Sequence, residues 1–243
     1  MKPRRLDELL ASCGYTSRRE VKNWIRAGRV RVRGQKPASA SIKADPGEVL
    51  IDGEPVDHPG VLLVLMHKPA GYVCSHDDRE GPRVYDLLPP RWQARNPSLN
   101  TVGRLDKDTT GALLLTDDGT LVHAWTHPKR KVEKHYLVDL AHPLDPTLIG
   151  FFAAGDLVLE GETTPCRPAR LEILGDTRAR LVLTEGKYHQ VRRMFAAVGN
   201  EVLRLHRECF GPCSIAHLLP GQFETINPTG PREEPPGNGA ATA

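Results

Sequence analysis

Positive charge is concentrated at one end of this chain, and this asymmetry divides the chain before any motif is considered. The first 43 residues carry twelve lysines and arginines but only three acids, a net charge of +9. Since the whole chain of 243 residues carries +3, the remaining 200 residues must carry −6. A strongly basic segment joined to a mildly acidic body predicts a small polyanion-binding module attached to a larger domain.

The basic segment has the pattern of two short helices. Leu6, Leu9 and Leu10 share one face of a first helix. The letters SRRE over residues 17–20 form a capping box, in which a serine and a glutamate each satisfy a free backbone N–H at the start of a second helix. Gly28 is placed to end that second helix.

The letters GRVRVRG, which follow the second helix, predict a strand with two unlike faces. Strict alternation puts both valines on one face and Arg29, Arg31 and Arg33 on the other. A row of arginines on a strand, beside a helix that carries Arg18 and Arg19, can contact several phosphates, with an affinity that falls steeply as salt rises. We therefore expect these five arginines to bind a nucleic-acid backbone.

A polar loop with two carboxylates is the most informative stretch of the acidic body. The letters GRLDKDTTG over residues 103–111 are bounded by glycines and followed directly by the apolar run ALLL. Loops at the edge of a rigid strand commonly present catalytic groups, although acids between glycines more often form a simple turn. The local pattern leaves both a catalytic and a turn-forming role open for Asp106.

Two later segments bear on that choice. Residues 133–140 predict a strand that carries Tyr136, and a further strand is followed by a helix with Arg192 and Arg193 in its first turns. Because a cation is unfavourable at a helix N-terminus, these arginines predict an anionic partner, such as a carboxylate of the loop. Residues 76–100, which are polar and rich in proline, predict a long surface connection.

Together these segments resemble two known families. The letters SRRE and GRVRVRG resemble the S4 RNA-binding module, which holds structured RNA by its backbone. From about residue 2 to 226 the chain resembles a pseudouridine synthase of the RsuA type, on GRLD and DTTG in the loop, KHY at 134–136 and GKYHQVRRM at 186–194. The pair Tyr188 and His189, with FAAVGN and GYVC, is similar to the branch that modifies uridine 516 of bacterial 16S rRNA.

The resemblance implies isomerisation of uridine to pseudouridine in ribosomal RNA, either free or in the assembling small subunit. It implies Asp106 as nucleophile or base, Arg192 as the cation that keeps it ionised, and Tyr136 as the aromatic ring against the uracil. Arg104 would clamp the RNA or fill the space of the flipped base, and Lys187 would contact the substrate. The reaction adds and removes no atoms, so no cofactor and no metal are expected.

Other classes of function stay open. A ribosome-assembly factor could bind RNA through the same S4-type fold without catalysis. Asp106 and Asp108 could be a hydrolase carboxylate pair or ligands of a divalent metal, but residues i and i+2 on an extended loop point apart, which favours Asp108 as a brace of the loop. A third pattern has a spacing loosely like that of a zinc site, which a Gly-Pro pair between its cysteines disfavours. That pattern consists of His206, Cys209, Cys213 and His217.

We predict an α+β chain of two domains and a tail. Residues 1–58 form the S4-like module, residues 61–226 form a catalytic domain with a mixed, largely antiparallel sheet and a central cleft, and residues 228–243 form a disordered tail. The apolar runs are too short for a membrane span, and no apolar stretch follows the basic start, so no secretory signal is expected. Five scattered cysteines indicate reduced thiols in the cytoplasm, and the lack of an extra apolar stripe predicts a monomer.

Overall fold

The amino-terminal module consists of two short helices and five short strands. The structure is a computed structural model that describes residues 1–228, so the predicted tail lies outside the described residues except for Pro228. The elements of the module are β1 (Arg4–Arg5), α1 (Leu6–Ser12), α2 (Val21–Arg26), β2 (Val30–Val32), β3 (Lys43–Ala44), a 3-10 turn (Pro46–Glu48), β4 (Val49–Ile51) and β5 (Glu54–Pro55).

The predicted helix pair is confirmed, with one change at the start of α2. The leucine stripe of α1 is fully buried in the core of the module. The backbone N–H of Glu20 donates to Ser17 Oγ (3.3 Å), but the Glu20 carboxylate accepts from Asn23 (2.9 Å) instead of reaching back to Ser17. Only half of the capping box forms, so α2 begins at Val21 and not directly after Ser17.

A hairpin closes the module. Strand β4 pairs antiparallel with β2 on one side and with β5 on the other. The turn between β4 and β5 is formed by Asp52 (φ 53°) and Gly53 (φ 91°). Two consecutive residues with positive φ match the right-handed twist of the flanking strands, which is why an Asp-Gly pair forms this turn.

The larger domain is built on one mixed sheet of nine strands within the described residues. In space the strands run β10-β11-β9-β12-β8-β6-β14, with β13 paired to β12 and β7 paired to β8. Among these described strands only the β8–β12 pair is parallel, so the predicted largely antiparallel α+β architecture is confirmed. The strands are β6 (Leu63–Lys68), β7 (Asn100–Val102), β8 (Thr110–Thr116), β9 (Lys134–Leu140), β10 (Arg170–Gly175), β11 (Arg178–Leu183), β12 (Val202–Phe210), β13 (Cys213–Ser214) and β14 (Phe223–Thr225).

Helices pack on both faces of this sheet. Strand β8 is buried on both sides, because Leu113 and Leu115 join one apolar cluster while Leu114 joins the other. The first cluster includes Phe152 and Phe195 from two helices. The helices are α3 (Pro90–Gln93), α4 (Gly119–Thr126), α5 (Thr147–Ala154) and α6 (Gln190–Ala197), with 3-10 turns at Asp78–Glu80, Val84–Leu87 and Pro128–Arg130. No helix within residues 1–228 is long and apolar enough to cross a membrane.

Two predictions from the sequence differ from the structure, one on the start of a strand and one on a long connection. The apolar run over residues 61–66 predicts a buried strand from residue 61, but the strand begins at Leu63, and Val61 is exposed. The prediction that residues 76–100 form a surface connection is wrong, since Tyr85 and Trp92 are buried in the main core. Their burial is not visible as a helical or strand period, because single aromatic and aliphatic side chains enter the core from short turns between prolines.

The segment between the module and the body is held to the body by a buried ion pair. The Arg95 side chain, 2% exposed, forms an ion pair with Asp117 (2.7 Å) and donates to the carbonyls of His58 (3.0 Å) and Gly60 (2.7 Å). Separate apolar cores lie on the two sides of this segment. We propose residues 58–61 as the boundary between the two domains.

Candidate active site

A buried lysine holds the loop that carries Asp106. The side chain of Lys68, at the end of β6, is 0% exposed. Its ammonium donates to four backbone carbonyls, those of Thr109 (2.7 Å), Asp106 (3.0 Å), Pro69 (3.1 Å) and Lys107 (3.2 Å). Burial lowers the pKa of Lys68. Because one side chain joins three carbonyls of the loop to the end of β6, the carboxylate is positioned by the fold itself.

The last glycine of the loop allows two strands to approach. Gly111 has φ 118° and pairs with Arg207 where β8 runs parallel to β12. A Cβ atom at this position would collide with the backbone oxygen of Arg207. A glycine is therefore required here by both backbone conformation and space.

Two basic side chains lie beside the Asp106 carboxylate, which is 31% exposed. His189 Nε2 is 3.2 Å from Oδ1, and Arg192 Nε is 3.9 Å from Oδ2. His189 is the residue that precedes α6; it has a positive φ of 48°, and its side chain makes no capping hydrogen bond to the helix. The predicted partner of Arg192 is thus a loop carboxylate, as the sequence indicated. No local pattern in the sequence marks His189 as a partner of the carboxylate, although His189 lies closer to Asp106 than Arg192 does.

The second carboxylate of the loop lies outside the cleft. Asp108 forms an ion pair with Arg192 Nη2 (2.5 Å), and Arg192 Nη1 also donates to the carbonyl of Val202 (2.9 Å). Asp106 is among the described residues that line the cleft, whereas Asp108 and Arg192 are not. The geometry supports Asp108 as a brace that holds Arg192 in place behind Asp106.

The cleft beside Asp106 has a volume of about 780 Å³ and an excess of positive charge. Its charged lining is basic at Arg104, Lys107, Lys134, Arg167, Lys187 and Arg207, and acidic at Glu80, Asp106 and Glu185. Burial lowers the pKa of Lys134 to about 8. The body of the protein is acidic, yet this concave surface is basic, which suits a polyanionic ligand.

Tyr136 lines the cleft from β9 and is 9% exposed, as part of the main core. Its hydroxyl accepts a long hydrogen bond (3.5 Å) from Arg207, whose Nε donates to the carbonyl of Ala112 (2.7 Å). The Arg207 side chain is itself 2% exposed, and its Nη2 has no hydrogen-bond partner within the described residues. Arg207 was missed because its only sequence signal is one charged residue in a strand of otherwise ordinary pattern.

The two predicted substrate-binding residues of the cleft are in different situations. Arg104 is exposed at the cleft wall. The Lys187 ammonium is already bonded within the protein, to the carbonyl (2.7 Å) and hydroxyl (3.3 Å) of Thr164 and to Glu162 (3.4 Å). Arg193 also pairs with Glu162 (3.2 Å). In this structure Lys187 therefore braces the segment around residue 164, and its contact with the substrate stays a prediction.

The predicted row of arginines in the module is interrupted. Strand β2 ends at Val32, and Arg33 turns away with φ 52° to pair with Glu48 (2.8 Å). Arg29 pairs with Asp52 (2.6 Å) and lies over the ring of Trp24.

Of the other predicted arginines of the module, one is paired with acids within residues 1–228 and two are not. Arg18 pairs with Glu8 (3.2 Å) and Asp7 (3.4 Å). Arg31 donates to the carbonyl of Gly34 (3.3 Å), and within the described residues neither it nor Arg19 forms an ion pair. Nearby acids can therefore pair with part of the cationic surface predicted from the sequence.

The side chains of the zinc-like pattern do not come together in the structure. His206 bonds to Thr110 (2.8 Å), while His217 bonds to Glu224 (2.9 Å). Within the part of the chain that the structure describes, no cluster of three potential metal-binding side chains is formed.

Comparison with known proteins agrees with this geometry. The sequence profile described as RNA pseudouridylate synthase matches residues 62–197, and that of the S4 domain matches residues 4–50. The ribosomal small subunit pseudouridine synthase A of Yersinia pestis is 41% identical over 225 residues, or 91% of this chain and 94% of the relative. The protein of the same name from Escherichia coli K12 is 41% identical over 227 residues, or 91% of this chain and 96% of the relative.

A solved structure gives the same result. The crystal structure of a pseudouridylate synthase aligns with a TM-score of 0.64 at 37% identity, covering 92% of this chain and 96% of the other. The family profile alone covers more than half of the chain, and the two relatives span nearly all of it. This chain therefore belongs to the RNA pseudouridylate synthase family and carries an S4 domain at its amino-terminal end.

Proposed function

We propose that this enzyme isomerises one uridine to pseudouridine in the RNA of the small ribosomal subunit, as a monomer in the cytoplasm. The observation that supports this most is the placement of Asp106 and Tyr136 on the wall of one cleft, with His189 and Arg192 beside the carboxylate. The two relatives named above act, by their names, on the small ribosomal subunit.

The proposed chemistry needs one carboxylate in a fixed position. The C1′–N1 bond of the nucleotide breaks, the uracil turns, a C1′–C5 bond forms, and the proton released from C5 is balanced by one gained at N1. Asp106 acts as the nucleophile or base in this sequence, and its loop is already held in place by Lys68. A fixed carboxylate gains from proximity, because little ordering remains when the substrate binds.

Tyr136 is proposed to hold the uracil during its rotation. The detached base has no covalent link to the RNA, so an aromatic wall against one ring face keeps it in the cleft. The tyrosine ring is packed in the core, and its hydroxyl contacts Arg207, so the wall has little freedom to move. A target uridine must leave its stack to reach this position, and Arg104 at the cleft wall is placed to contact the strand that it leaves.

We propose uridine 516 of 16S rRNA as the target, on the resemblance carried by Tyr188, His189 and the segments FAAVGN and GYVC. The test replaces the chromosomal gene with a copy encoding Asp106→Asn and maps pseudouridines in the rRNA. The variant should lose the modification at position 516 and reduce turnover in vitro by at least about 1,000-fold, because an amide can neither attack nor take a proton. Affinity for the RNA should stay within about twofold.

Asp156→Asn is the matched control, since it removes an exposed carboxylate that lies outside the cleft lining. It should keep most of the activity. Full activity of Asp106→Asn would refute the proposed catalyst, and an inactive wild type that still binds rRNA would favour the non-catalytic assembly factor. Shortening of the RNA, abolished by EDTA, would instead indicate a metal-dependent nuclease.

A further inference from the structure

An exposed aromatic side chain stands at the mouth of the cleft. Tyr188 is 68% exposed, the largest exposure of any aromatic ring among the described bulky hydrophobic residues. It lines the same cleft as Asp106, on the turn that leads into α6. A single exposed ring is common on protein surfaces, but this one lines the cleft and lies against the histidine that contacts Asp106.

Contacts to the Tyr188 ring and to its backbone hold this residue in place. Tyr188 is stacked on His189 with ring centroids 3.8 Å apart and an interplanar angle of 21°. The backbone carbonyl of Tyr188 accepts a hydrogen bond from Arg193 Nη1 (3.0 Å), and His189 contacts Asp106 (3.2 Å). One face of the tyrosine is therefore covered by the histidine, and the turn beneath it is fixed by Arg193.

We propose that the free face of Tyr188 binds an unpaired nucleobase of the RNA, one that neighbours the target uridine. This inference rests on the proposed function, because it needs an RNA strand in the cleft. When the target base leaves the stack, each neighbour loses a stacking partner, and an aromatic ring can replace that partner for any base. Tyr188 and His189 thus form a stacking subsite beside the uracil pocket.

The charge of the surroundings favours a nucleobase over an apolar protein segment. The cleft that continues from Tyr188 is lined by six basic and three acidic side chains. Such a surface attracts the phosphates on both sides of a stacked base, whereas an apolar peptide would bring no complementary charge. Single-stranded RNA supplies a flat ring and a charged backbone together, so it matches both features.

The test compares Tyr188→Ala and Tyr188→Phe with Leu219→Ala, which truncates another strongly exposed side chain outside the cleft lining. Substrate RNAs carry 2-aminopurine immediately 5′ or 3′ of the target uridine. With the wild type and Tyr188→Phe, stacking should quench the fluorescence of one of the two RNAs. Tyr188→Ala should abolish that quench and raise KM about tenfold with kcat changed less than about twofold. Leu219→Ala should behave as the wild type.

The stacking subsite and the proposed function can fail separately. If the wild type forms pseudouridine but Tyr188→Ala has a wild-type KM and an unchanged quench, the stacking subsite is refuted and the proposed function stands. An absence of quench at both positions with the wild type refutes the subsite as well. If the wild type forms no pseudouridine, the proposed function fails, while the quench still decides whether Tyr188 stacks on RNA.

Discussion

The amino-terminal module and the larger domain both carry prominent cations, but they hold them in opposite ways. In the module, Arg29 and Arg33 are exposed and pair with acids on neighbouring segments. In the catalytic domain, Lys68 and Arg207 are buried and bond mainly to backbone carbonyls. The first arrangement leaves the charge in water, and the second removes it from water.

This difference indicates different tasks. Exposed ion pairs contribute about 0–1 kcal/mol, so a phosphate can replace the acid partner at little cost. A buried cation bonded to several carbonyls cannot exchange partners, because each carbonyl left unpaired in the interior costs about 1–3 kcal/mol. The module therefore suits adjustable binding of an RNA backbone, and the buried Lys68 suits fixed placement of the Asp106 loop.

Among the cations, the largest effect should come from removing the buried lysine under the loop. Lys68→Met keeps the length of the side chain but removes one donor from each of four carbonyls. The carbonyls of Asp106 and Lys107 keep a second donor, a backbone N–H. We expect a loss of about 3 kcal/mol in the free energy of unfolding and at least about a tenfold fall in kcat, since the Asp106 loop is no longer fixed. Denaturant unfolding and single-turnover kinetics measure the two effects.

Lys107→Met is the matched control, because it removes an exposed lysine from the same loop. It should change the free energy of unfolding by less than about 0.5 kcal/mol. Equal stability and equal kcat for the two variants would contradict the proposal that the buried lysine fixes the loop and the exposed lysine does not.

A smaller effect is expected from deleting residues 1–58. The truncated enzyme should bind rRNA at least about tenfold more weakly, and the slope of log affinity against log salt should become shallower by about 0.7–0.9 for each phosphate that the module neutralises in the full chain. Its kcat at saturating RNA should stay close to that of the full chain. Circular dichroism controls for folding, since the deletion also removes the carbonyl of His58 to which Arg95 donates. An unchanged salt slope would contradict the role of the module.

The smallest effect is expected from single substitutions in the module, which compare a paired cation with an unpaired one. Arg29 is paired with Asp52, whereas Lys22 has no ion pair within the described residues. Replacing Lys22 by alanine should weaken rRNA binding about threefold and lower the salt slope by up to about 0.9. Arg29→Ala also leaves Asp52 unpaired near the RNA, so it should weaken binding at least as much. A smaller loss for Arg29→Ala would mean that the Arg29–Asp52 pair stays closed in the complex.

Local patterns predicted most of the elements that carry the site. The loop before β8, the strand with Tyr136 and the helix with Arg192 follow from glycines, alternation and helical spacing, all of which act over a few residues. The failure over residues 76–100 has a different cause. There, Tyr85 and Trp92 are buried by contacts with distant strands, and no local period records such contacts.

The sequence alone determined which candidate groups the chain carries: a glycine-bounded carboxylate loop, a helix that begins with arginines and a basic amino-terminal module. Only the tertiary structure decided which cations are free to contact a ligand and which are bonded within the protein. Lys68 meets carbonyls 38 to 41 residues away, and Arg29 meets an acid 23 residues away. These contacts depend on strand register and chain crossing, so the free or bonded state of each cation appears only when distant segments come together.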